Sequence, residues 1–487
     1  MASKSLEQLM LYAIGGGWGD EQPGAGKVRV AVIRGTDIPK LRIGDHSSVP
    51  FRYESESKVR SRLLRVGDIV IEVSGGSAAS GQHTGRSLLV TGEILQSLGG
   101  KVIPASFCRL LRLDTQQVHP GFVVLQIDSL HRSGEIAEFE NQSTGIANFQ
   151  FNRFVEETHP RIKELDAQAT IVEYISSFDR LIALNRRINR TLEAMAQAIF
   201  KSWFVDFDPA KAKIAANEQG EDPLRAAMRA ISGKTDAELD QMPREHYDQL
   251  ATIAALFPGA MEESELGEIP KGWRAVPFGS LLSHTIGGDW GTEAPDTVND
   301  TRVAIIRGTD IPDLDQAQLS RVPIRYTNQK KLATRRIQTG DIVLEVSGGS
   351  KDQPTGRSFY MTTNALREFD CPVEPASFCR LLRPVSLEVG VVLGLHLSYI
   401  YQQGKTWEYQ NQSTGIANFQ TSHFLEAELV VVPPNSVLEV FFGMVSPILE
   451  RRHDAQGRKL ALTRDTLLPK LMSGEIPVSC QLNEDAQ

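Results

Sequence analysis

The sequence predicts an α+β fold in which two similar mixed α/β domains are joined by two long antiparallel coiled-coil helices, with a pseudo-twofold internal repeat. Three observations predict this fold: a domain-sized repeat, short β-branched segments inside each copy, and a helical spacing of apolar residues after each copy. The composition, with 41% hydrophobic and 23% charged residues, excludes wholesale disorder. No run of about 18 apolar residues occurs, so we expect neither a transmembrane helix nor a membrane partner.

The internal repeat decides the domain organisation. Five blocks return at an offset that changes only from 273 to 270 residues, and 43 of their 46 positions are identical. A period this long excludes a solenoid and indicates two copies of one globular module of about 150 residues. The paired blocks are Arg29–Pro39 with Arg302–Pro312, Val66–Ser77 with Thr339–Ser350, Thr84–Ser87 with Thr355–Ser358, Pro104–Arg112 with Pro375–Arg383, and Asn141–Gln150 with Asn411–Gln420.

Short strands are predicted inside each module. Asp68–Val73 and Asp341–Val346 are β-branched runs that begin at a Gly-Asp pair and end before a Gly-Gly pair, which is typical of strands between turns. Phe107–Leu111 and Val430–Val432 fit the same pattern. The glycines of the Ser-Gly-Gly-Ser turns are expected to supply backbone positions with positive φ.

A long helix is predicted after each module. In residues 160–203 the apolar side chains advance by four, three and four residues, which indicates a coiled-coil seam. The C-terminal segment repeats this spacing, with a kink or break expected at Pro447 and Gly457. The predicted seam residues are Ile171, Ile175, Phe178, Ile182, Ile188, Leu192, Met195 and Ile199, and then Val437, Phe441, Met444, Ile448, Leu460, Leu467 and Leu471.

The charge is unevenly distributed along the chain. Of the formal net charge of −8, a net −7 falls in residues 204–272, which form either an ordered small helical insert or a mobile hinge. The rest is near neutral, so local basic patches are compatible with the composition. The predicted boundaries are 1–159 for the first domain, 160–204 for the first helical spacer, 205–272 for the acidic segment, 273–435 for the second domain, 436–475 for the second spacer and 476–487 for a disordered tail.

Several motifs resemble the specificity subunit of type I restriction–modification systems. RINRTLEAMAQAIFKSWFVDFDPAKAK at Arg187–Lys213 resembles the central helical region of that family, and ELGEIPKGW at Glu265–Trp273 resembles its entry into a target-recognition domain. TLLPKLMSGEI at Thr466–Ile476 resembles the end of its distal helical region, and NQSTGIANF in both modules fits its recognition domains. The resemblance covers nearly the whole chain.

The resemblance implies a protein that catalyses nothing itself and whose two recognition domains each bind one half of a bipartite target in double-stranded DNA. It also implies that the helices dock two methylation subunits and that restriction subunits, DNA-translocating ATPases and nucleases, join the assembly. No cofactor is expected in this chain, because S-adenosylmethionine, ATP and Mg²⁺ would be held by the partner subunits. The expected partner-binding residues are Phe200, Trp203, Phe204, Leu467 and Leu471.

The catalytic motifs missing from the sequence agree with this interpretation. The chain has no NPPY- or DPPY-like motif of adenine methyltransferases and no P-loop. Its four cysteines form no CxxC pair, so Cys108 and Cys379 are expected to be buried structural residues of a cytoplasmic protein. Three alternatives stay open: the recognition subunit of another restriction–methylation class, a stand-alone nuclease or methyltransferase, and a coiled-coil adaptor with no role on DNA.

Candidate DNA contacts are forked donors, short polar side chains and basic runs. Arg86 and Arg357 of the TGRS turns either contact guanine or phosphate or belong to a surface turn, and Arg34 and Arg307 either reach DNA or pair with the aspartate three residues later. The NQSTGIANF segments either contact DNA or cap the segment after them, and the basic runs either clamp phosphates or form a solvated face. The candidates are Arg34, Lys58, Arg62, Thr84, Arg86, Ser87, Ser143, Thr144, Asn148, Arg307, Lys331, Arg335, Thr355, Arg357, Ser358, Ser413, Thr414 and Asn418.

The near-identity of the modules predicts a target with two matching half-sites. Antiparallel helices would present the two modules in inverted orientation, so the expected target is interrupted and near-palindromic. Loop differences, such as LEVSGGSKDQP against IEVSGGSAASGQ, leave one or two base positions at which the half-sites differ.

Overall fold

The computed structural model describes residues 4–76, 83–143, 146–317, 319, 321–349, 353–413 and 416–477. The chain divides into two compact units. Unit 1 consists of Met1–Leu184 and Lys459–Gln487, and unit 2 consists of Asn185–Arg458. Each unit therefore combines one copy of the repeat with parts of the two predicted helical spacers.

Unit 1 begins with short helices and strands and ends in a long helix. Its helices are α1 Leu6–Leu9, α2 Ile38–Leu41, α3 Glu56–Arg62, α4 Gly92–Ser97, α5 Pro120–Ser133, α6 Phe151–Glu157 and α7 Leu165–Phe204, whose second half belongs to unit 2. Its strands are β1 Met10–Gly15, β2 Lys27–Ile33, β3 Phe51–Ser55, β4 Ile69–Glu72, β5 Ser74–Gly76, β6 Ser87–Leu89, β7 Val102–Pro104, β8 Cys108–Leu113, β9 Glu140–Ser143 and β10 Ile146–Phe149.

The strands of unit 1 form three small sheets that share aliphatic core clusters. One sheet has the order β1-β8-β4-β6, a second has the order β3-β2-β7, and a third has the order β5-β10-β9. The pairings are antiparallel except that of β2 with β7, which is parallel. Ile69, Val70 and Ile71 of β4 are fully buried, as expected of a central strand with both faces covered.

Unit 2 contains a second copy of these elements, preceded by a helical insert. Its strands are β11 Met261–Ser264, β12 Gly267–Pro270, β13 Arg274–Pro277, β14 Leu282–Gly287, β15 Thr301–Ile306, β16 Ile324–Thr327, β17 Ile342–Glu345, β18 Ser347–Gly348, β19 Ser358–Tyr360, β20 Val373–Pro375, β21 Cys379–Pro384, β22 Gln410–Ser413, β23 Ile416–Phe419 and β24 Leu429–Val432. The remaining helices are α8 Asp208–Gln219, α9 Pro223–Ser232, α10 Asp236–Asp240, α11 Arg244–Ala255, α12 Ile311–Leu314, α13 Gln329–Arg335, α14 Thr363–Arg367, α15 Leu387–Gln402, α16 Thr421–Ala427, α17 Asn435–Arg452 and α18 Gln456–Ser473, most of which lies in unit 1.

The sheets of unit 2 repeat those of unit 1 strand for strand. Their orders are β14-β21-β17-β19, β16-β15-β20 and β18-β23-β22. The registers also agree: Val70 lies opposite Leu110 in unit 1, and the equivalent Val343 lies opposite Leu381 in unit 2. The predicted duplication of one mixed α/β module is therefore confirmed at the level of topology and register.

In unit 1, the first part of α7 packs against α18. Ile171 and Ile175 form one buried cluster with Leu468, Leu471 and Met472 of α18. Further along α7, Asp179 pairs with Arg464, which comes earlier in α18, so the two helices run antiparallel within this unit. The predicted seam is correct here, since Ile171 and Ile175 are both buried.

In unit 2, the end of α7 packs against α17 in a different phase from the predicted one. Met195 was expected on the seam but is 47% exposed, while Ala196 is buried. In α17, Val437 and Phe441 are buried as predicted, but after them Val445 and Leu449 are buried, whereas the expected Met444 and Ile448 are only partly buried. At these positions, the buried side of each helix is shifted by one residue because the helices also pack on the module core. The buried stripe is therefore wider than a coiled-coil seam.

The break in the C-terminal helical segment is displaced from its predicted positions. Helix α17 continues through Pro447 to Arg452, and α18 already includes Gly457. The interruption falls at residues 453–455 instead, where the buried His453 shares a hydrogen bond with the Thr362 hydroxyl, 3.0 Å away. A tertiary contact of the side chain, which sequence periodicity does not report, accompanies the break.

The acidic segment is an ordered helical insert. Helices α8 to α11 occupy most of residues 208–255, and Ala227, Met228 and Leu239 form a small buried core. The strand pair β11–β12 follows, and β13 pairs with β24 of the module. Of the two alternatives for this segment, the structure supports the ordered insert.

Two further expectations concern a membrane and the C-terminus. Within the described ranges, no helix has both the length and the apolar character that crossing a membrane requires. The predicted disordered tail falls largely on residues 478–487, which lie outside the described residues.

Candidate nucleic-acid interface

A cleft lies at one end of the four-stranded sheet of unit 1. One wall is the turn between β7 and β8, in which the Cys108 N–H donates to the Ala105 carbonyl at 2.8 Å. The Phe107 carbonyl accepts from the Val73 N–H at 2.9 Å, which ties this turn to the end of β4. The cleft has a volume of about 720 Å³, and its lining includes Ser74, Ser106, Phe107, Arg109, Asn148 and Arg153.

Unit 2 contains the same cleft at the equivalent place. The Cys379 N–H donates to the Ala376 carbonyl at 2.8 Å, and the Phe378 carbonyl accepts from the Val346 N–H at 2.9 Å. This cleft has a volume of about 360 Å³, and its lining includes Ser347, Ser377, Phe378, Arg380, Asn418 and Thr421. The chain therefore presents a similar cleft twice, with serine, phenylalanine, arginine and asparagine side chains at matching backbone positions, although Phe151 of the first cleft is replaced by Thr421 in the second.

The two long repeated blocks without any substitution meet at this cleft. PASFCRLLR supplies the turn and the start of the following strand, and NQSTGIANFQ supplies the strand beside it. Val73 and Ser74, after the end of β4, also line the first cleft, and the equivalent Val346 and Ser347, after the end of β17, line the second. Segments far apart in sequence thus build one surface, and much of this surface comes from blocks that are identical in the two modules.

An exposed phenylalanine stands at the mouth of each cleft. Phe107 and Phe378 are each 66% exposed, although a phenylalanine side chain gains roughly 1.5–3 kcal/mol from burial. Two backbone hydrogen bonds at each turn fix the chain so that the ring points outward, and the neighbouring Cys108 and Cys379 are fully buried. Burial raises the pKa of both thiols to about 12, in line with the predicted structural cysteines.

Each cleft also holds an arginine beside polar side chains. In unit 1, Arg109 lies over the Phe151 ring, with its guanidinium carbon 4.5 Å from the ring centroid, and donates to the Asn152 side-chain carbonyl oxygen at 3.3 Å. In unit 2, Arg380 donates to the Thr285 hydroxyl at 3.3 Å. No carboxylate of the described residues forms an ion pair with either guanidinium within 4.0 Å, so their positive charge is available to an anionic ligand.

The TGRS arginines form internal ion pairs instead. Arg86 donates from Nε and Nη2 to the two Glu72 carboxylate oxygens at 2.8 and 2.7 Å, and Arg357 forms the same bidentate pair with Glu345. Both carboxylates are buried. A Cβ at Gly35 would overlap the Glu72 carboxylate, so the chain needs glycine where the Gly35–Asp37 turn crosses the pair.

The rest of the TGRS turn is also inside the module. Thr84 and Thr355 are fully buried, and their N–H groups donate to the side chains of Glu140 and Gln410. Ser87 is fully buried in its strand. The expected DNA contacts at these turns are therefore corrected to structural roles for Thr84, Arg86, Ser87, Thr355 and Arg357, because these groups are already paired or covered. Ser358 is only half-buried and stays a predicted DNA contact.

The arginines of the IRGTDI blocks likewise form the local pair that was the second alternative. Arg34 donates from Nη2 to Asp37 at 2.9 Å, and Arg307 donates from Nη2 to Asp310 at 2.6 Å. Each guanidinium also donates to a backbone carbonyl across the loop. The hydrogen bond to Asp37 raises the pKa of Arg34. Both arginines therefore hold together the loops in which they lie.

The basic runs divide between structural and exposed side chains. Arg62 and Arg335 each donate at 3.0 Å to the carbonyl of a glycine that ends the first strand of the four-stranded sheet, beside the cleft. Lys58 and Lys331 pair with carboxylates at 3.4 and 2.9 Å, but their side chains are 60% and 44% exposed. Such exposed pairs are weak, so both lysines stay predicted phosphate contacts.

The NQSTGIANF candidates fall partly outside the described structure. Thr144 and Thr414 lie outside the described residues, and the side chains of Ser143 and Ser413 are not described. Asn148 and Asn418 are exposed, and both line their clefts. Of these candidates, Asn148 lies in one cleft with Phe107 and Arg109, and Asn418 lies in the other cleft with Phe378 and Arg380.

The expected partner-binding residues are mostly core residues. Phe200, Trp203 and Phe204 are 1%, 2% and 5% exposed, and they belong to the core of unit 2, where Trp203 and Phe204 pack on Phe441 of α17. In unit 1, Leu471 is buried and Leu467 partly buried in the cluster with Ile171. The docking role is corrected for Phe200, Trp203, Phe204 and Leu471, because their apolar surface is already covered within their own units. Leu467 is only partly buried and stays a predicted partner contact.

One buried carboxyl of unit 2 has no counterpart in unit 1. Glu374 of unit 2 is fully buried, while the equivalent residue of unit 1 is Ile103. Burial, with a smaller contribution from Asp289, raises the pKa of Glu374 to about 7, against the opposing effects of Arg335, Lys331 and the Thr327 hydroxyl. The folded unit therefore holds a proton that the unfolded chain releases above about pH 4.5.

This carboxyl predicts a pH dependence of unit 2. Because the pKa of the folded state is above that of the unfolded state, the free energy of unfolding falls as pH rises from about 4.5 to about 7. The fall amounts to about 3 kcal/mol at about 1.4 kcal/mol per pKa unit. Denaturant unfolding of Glu374→Gln across this window should show a flatter profile than wild type, whereas exposed Glu408→Gln should keep the wild-type slope. Equal slopes for Glu374→Gln and wild type would contradict the assignment.

Comparison with known proteins places the chain in a family. No family model matches it. It is 30% identical over 338 residues to the type I restriction enzyme HindI specificity subunit of Haemophilus influenzae, an alignment that covers 65% of this chain and 68% of the relative. The chain belongs to the specificity subunits of type I restriction enzymes.

Two further comparisons give a second similar sequence and a similar fold. The chain is 24% identical over 342 residues to the type I restriction enzyme MjaIX specificity subunit of Methanocaldococcus jannaschii, covering 66% of this chain and 61% of the relative. Its fold is similar to the crystal structure of a type I restriction–modification S subunit from M. genitalium, with a TM-score of 0.50, 13% identity, and 96% and 95% of the two chains covered. A specificity subunit is a non-catalytic component, so the chain is not an enzyme by itself.

Sequence reasoning missed the most exposed members of the cleft in this specificity subunit. Phe107 is predicted to lie in a strand, and Phe378, Arg109 and Arg380 are not among the predicted DNA contacts. The signal was present in the unbroken identity of PASFCRLLR between the modules. It was ambiguous, because identical blocks arise equally from a shared core, and Cys108 and Leu110 of the same block are indeed fully buried.

Proposed function

We propose that this specificity subunit reads a bipartite target in double-stranded DNA, one half-site with each module, and holds no catalytic group of its own. The observation that supports the proposal most directly is the duplicated cleft in a chain that belongs to the family. Each cleft combines an arginine that has no carboxylate partner among the described residues, an exposed asparagine and hydroxyl side chains. These are the groups that read base edges and phosphates.

The proposed assembly rests on the family to which the chain belongs. In the proposal, two methylation subunits and restriction subunits join it in the cytoplasm and bring S-adenosylmethionine, ATP and Mg²⁺. Within the described residues, no cluster of three or more metal-binding side chains occurs. Since the aromatic end of α7 is packed inside unit 2, docking would use exposed parts of the helical segments, such as Leu181, Leu184 and Leu462.

The proposal predicts a near-palindromic methylated motif. The two clefts share their arginine, asparagine, phenylalanine and serines, so they should select the same bases in the same order from each half-site. Long-read sequencing of methylated adenines in a host that carries the system should return an interrupted motif whose halves match at most positions. The control is the same host without this gene, in which the motif should be unmethylated.

Two results would count against the proposal at different points. A motif with unrelated halves would defeat the near-palindrome and leave the DNA-reading role standing. If the complex with methylation subunits bound the motif no more tightly than a random duplex at a fixed salt concentration, the DNA-reading role itself would fail.

A further inference from the structure

We propose that Phe107 and Phe378 are DNA-contacting residues that press an apolar ring against the bases of each half-site, with Arg109 and Arg380 beside them on the DNA. The inference rests on the proposed DNA-reading function and assigns it to a surface. The clefts behind the two turns are then the places where the two half-sites are read.

The first argument is that each exposed phenylalanine side chain forgoes the free energy that burial would supply. Each turn keeps its phenylalanine 66% exposed, and the hydrogen bonds from Val73 and from Val346 to the two phenylalanine carbonyls prevent the turn from folding back onto the core. A single exposed apolar side chain is ordinary on a protein surface. Two at equivalent positions, each beside an arginine and an asparagine, form a repeated surface pattern.

The second argument is what the modules retain and what they change. The turn and the cleft strand are identical between units, yet the exposed residues at the rim differ: Asn152 and Arg153 in unit 1 correspond to Ser422 and His423 in unit 2. The rim therefore tolerated substitution while the exposed phenylalanine did not change. A solvent-facing ring with no function would be expected to vary with the rim.

The third argument is chemical fit to DNA. A phenylalanine at a groove makes apolar contact with the thymine methyl group or with an opened base step. Asn148 and Asn418 have the amide geometry that pairs with adenine, and an arginine pairs with guanine or with phosphate. The combination of a ring, a cation and an amide within one concave surface suits a nucleic acid, whereas a protein partner would bury a larger apolar patch.

The decisive experiment uses the full chain in complex with its methylation subunits. The DNA is an unmethylated duplex that contains the sequence motif identified by methylation sequencing. In Phe107→Ala/Phe378→Ala, we expect binding to fall roughly a hundredfold, about tenfold for each half-site. The dependence of affinity on salt should stay unchanged, because no phosphate contact is lost. Val66→Ala/Val385→Ala, at exposed apolar positions that line neither cleft, should bind like wild type.

A second measurement does not depend on the stability of the alanine variant. A photo-crosslinking phenylalanine analogue placed at position 107 or 378 should crosslink to DNA that contains the motif, and the same analogue at position 66 or 385 should not. Wild-type affinity in the double alanine variant, or no crosslink from either cleft position, would overturn the inference. If wild type itself did not distinguish the motif from random DNA, the proposed function would fail instead, so the two failures can be told apart.

Discussion

Replacing Trp203 by alanine is expected to lower the free energy of unfolding of unit 2 by about 3–5 kcal/mol. The indole is 2% exposed, and its ring centroid lies 4.9 Å from that of Phe257 and 5.7 Å from that of Phe441. These rings come from the end of α7, the segment after the helical insert, and α17. Trp203 thus joins three parts of unit 2, and its removal leaves a cavity that none of them fills alone.

Guanidinium unfolding followed by hydrogen exchange can place this loss in the structure. Peptides from residues 196–278 and 437–449 should lose protection in the Trp203→Ala variant, while unit 1 peptides around β4 should keep theirs. Met195→Ala, on the same helix but 47% exposed, is the matched control and should change stability by less than about 0.5 kcal/mol. If Trp203→Ala kept wild-type stability but bound methylation subunits more weakly, a docking role for this side chain would be restored.

The contrast between Met195 and Ile171 shows how far sequence predicts this fold. The duplication, the topology class and the antiparallel helices were predictable because repeats and apolar spacing are properties of the chain itself. Ile171 was placed correctly on a helix–helix seam because the two-helix contact governs that region of α7. The prediction for Met195 is wrong because, further along the same helix, packing on the module core determines which side of the helix is buried.

The site was predicted less well than the fold, for a physical reason. An arginine in a polar turn suggests a DNA contact, but Arg86 pairs with a carboxylate that sequence spacing alone does not identify as its partner. A phenylalanine in an apolar block suggests burial, but Phe107 is exposed because a tight turn reverses its direction. In both cases the outcome depends on which groups meet across strands. Asn148 lies on an exposed part of its strand and stays a predicted DNA contact.

The buried arginine–carboxylate pairs carry the other large expected effect. Arg86→Ala should destabilise unit 1 by about 3–5 kcal/mol, since it leaves the Glu72 carboxylate, only 2% exposed, without its counter-charge. Arg86→Lys should recover little, because an ammonium cannot donate the two parallel hydrogen bonds that the guanidinium makes at 2.8 and 2.7 Å. Removing both charges, as in Arg86→Met/Glu72→Leu, should recover much of the loss, because no isolated charge remains in the core. The equivalent Arg357→Ala should act on unit 2 in the same way.

DNA binding separates this structural role from a contact with DNA. At a temperature where the Arg86→Ala complex is still folded, the slope of log affinity against log salt should equal that of wild type, because Arg86 neutralises Glu72 and not a phosphate. If Arg109 of the cleft lies on a phosphate, Arg109→Ala should reduce that slope by about one and leave thermal stability nearly unchanged. A reduced slope with unchanged stability in Arg86→Ala would contradict the assignment and return this arginine to the DNA. The expected opposite responses follow from one difference, which is that one guanidinium has a buried carboxylate partner and the other has none within the described structure.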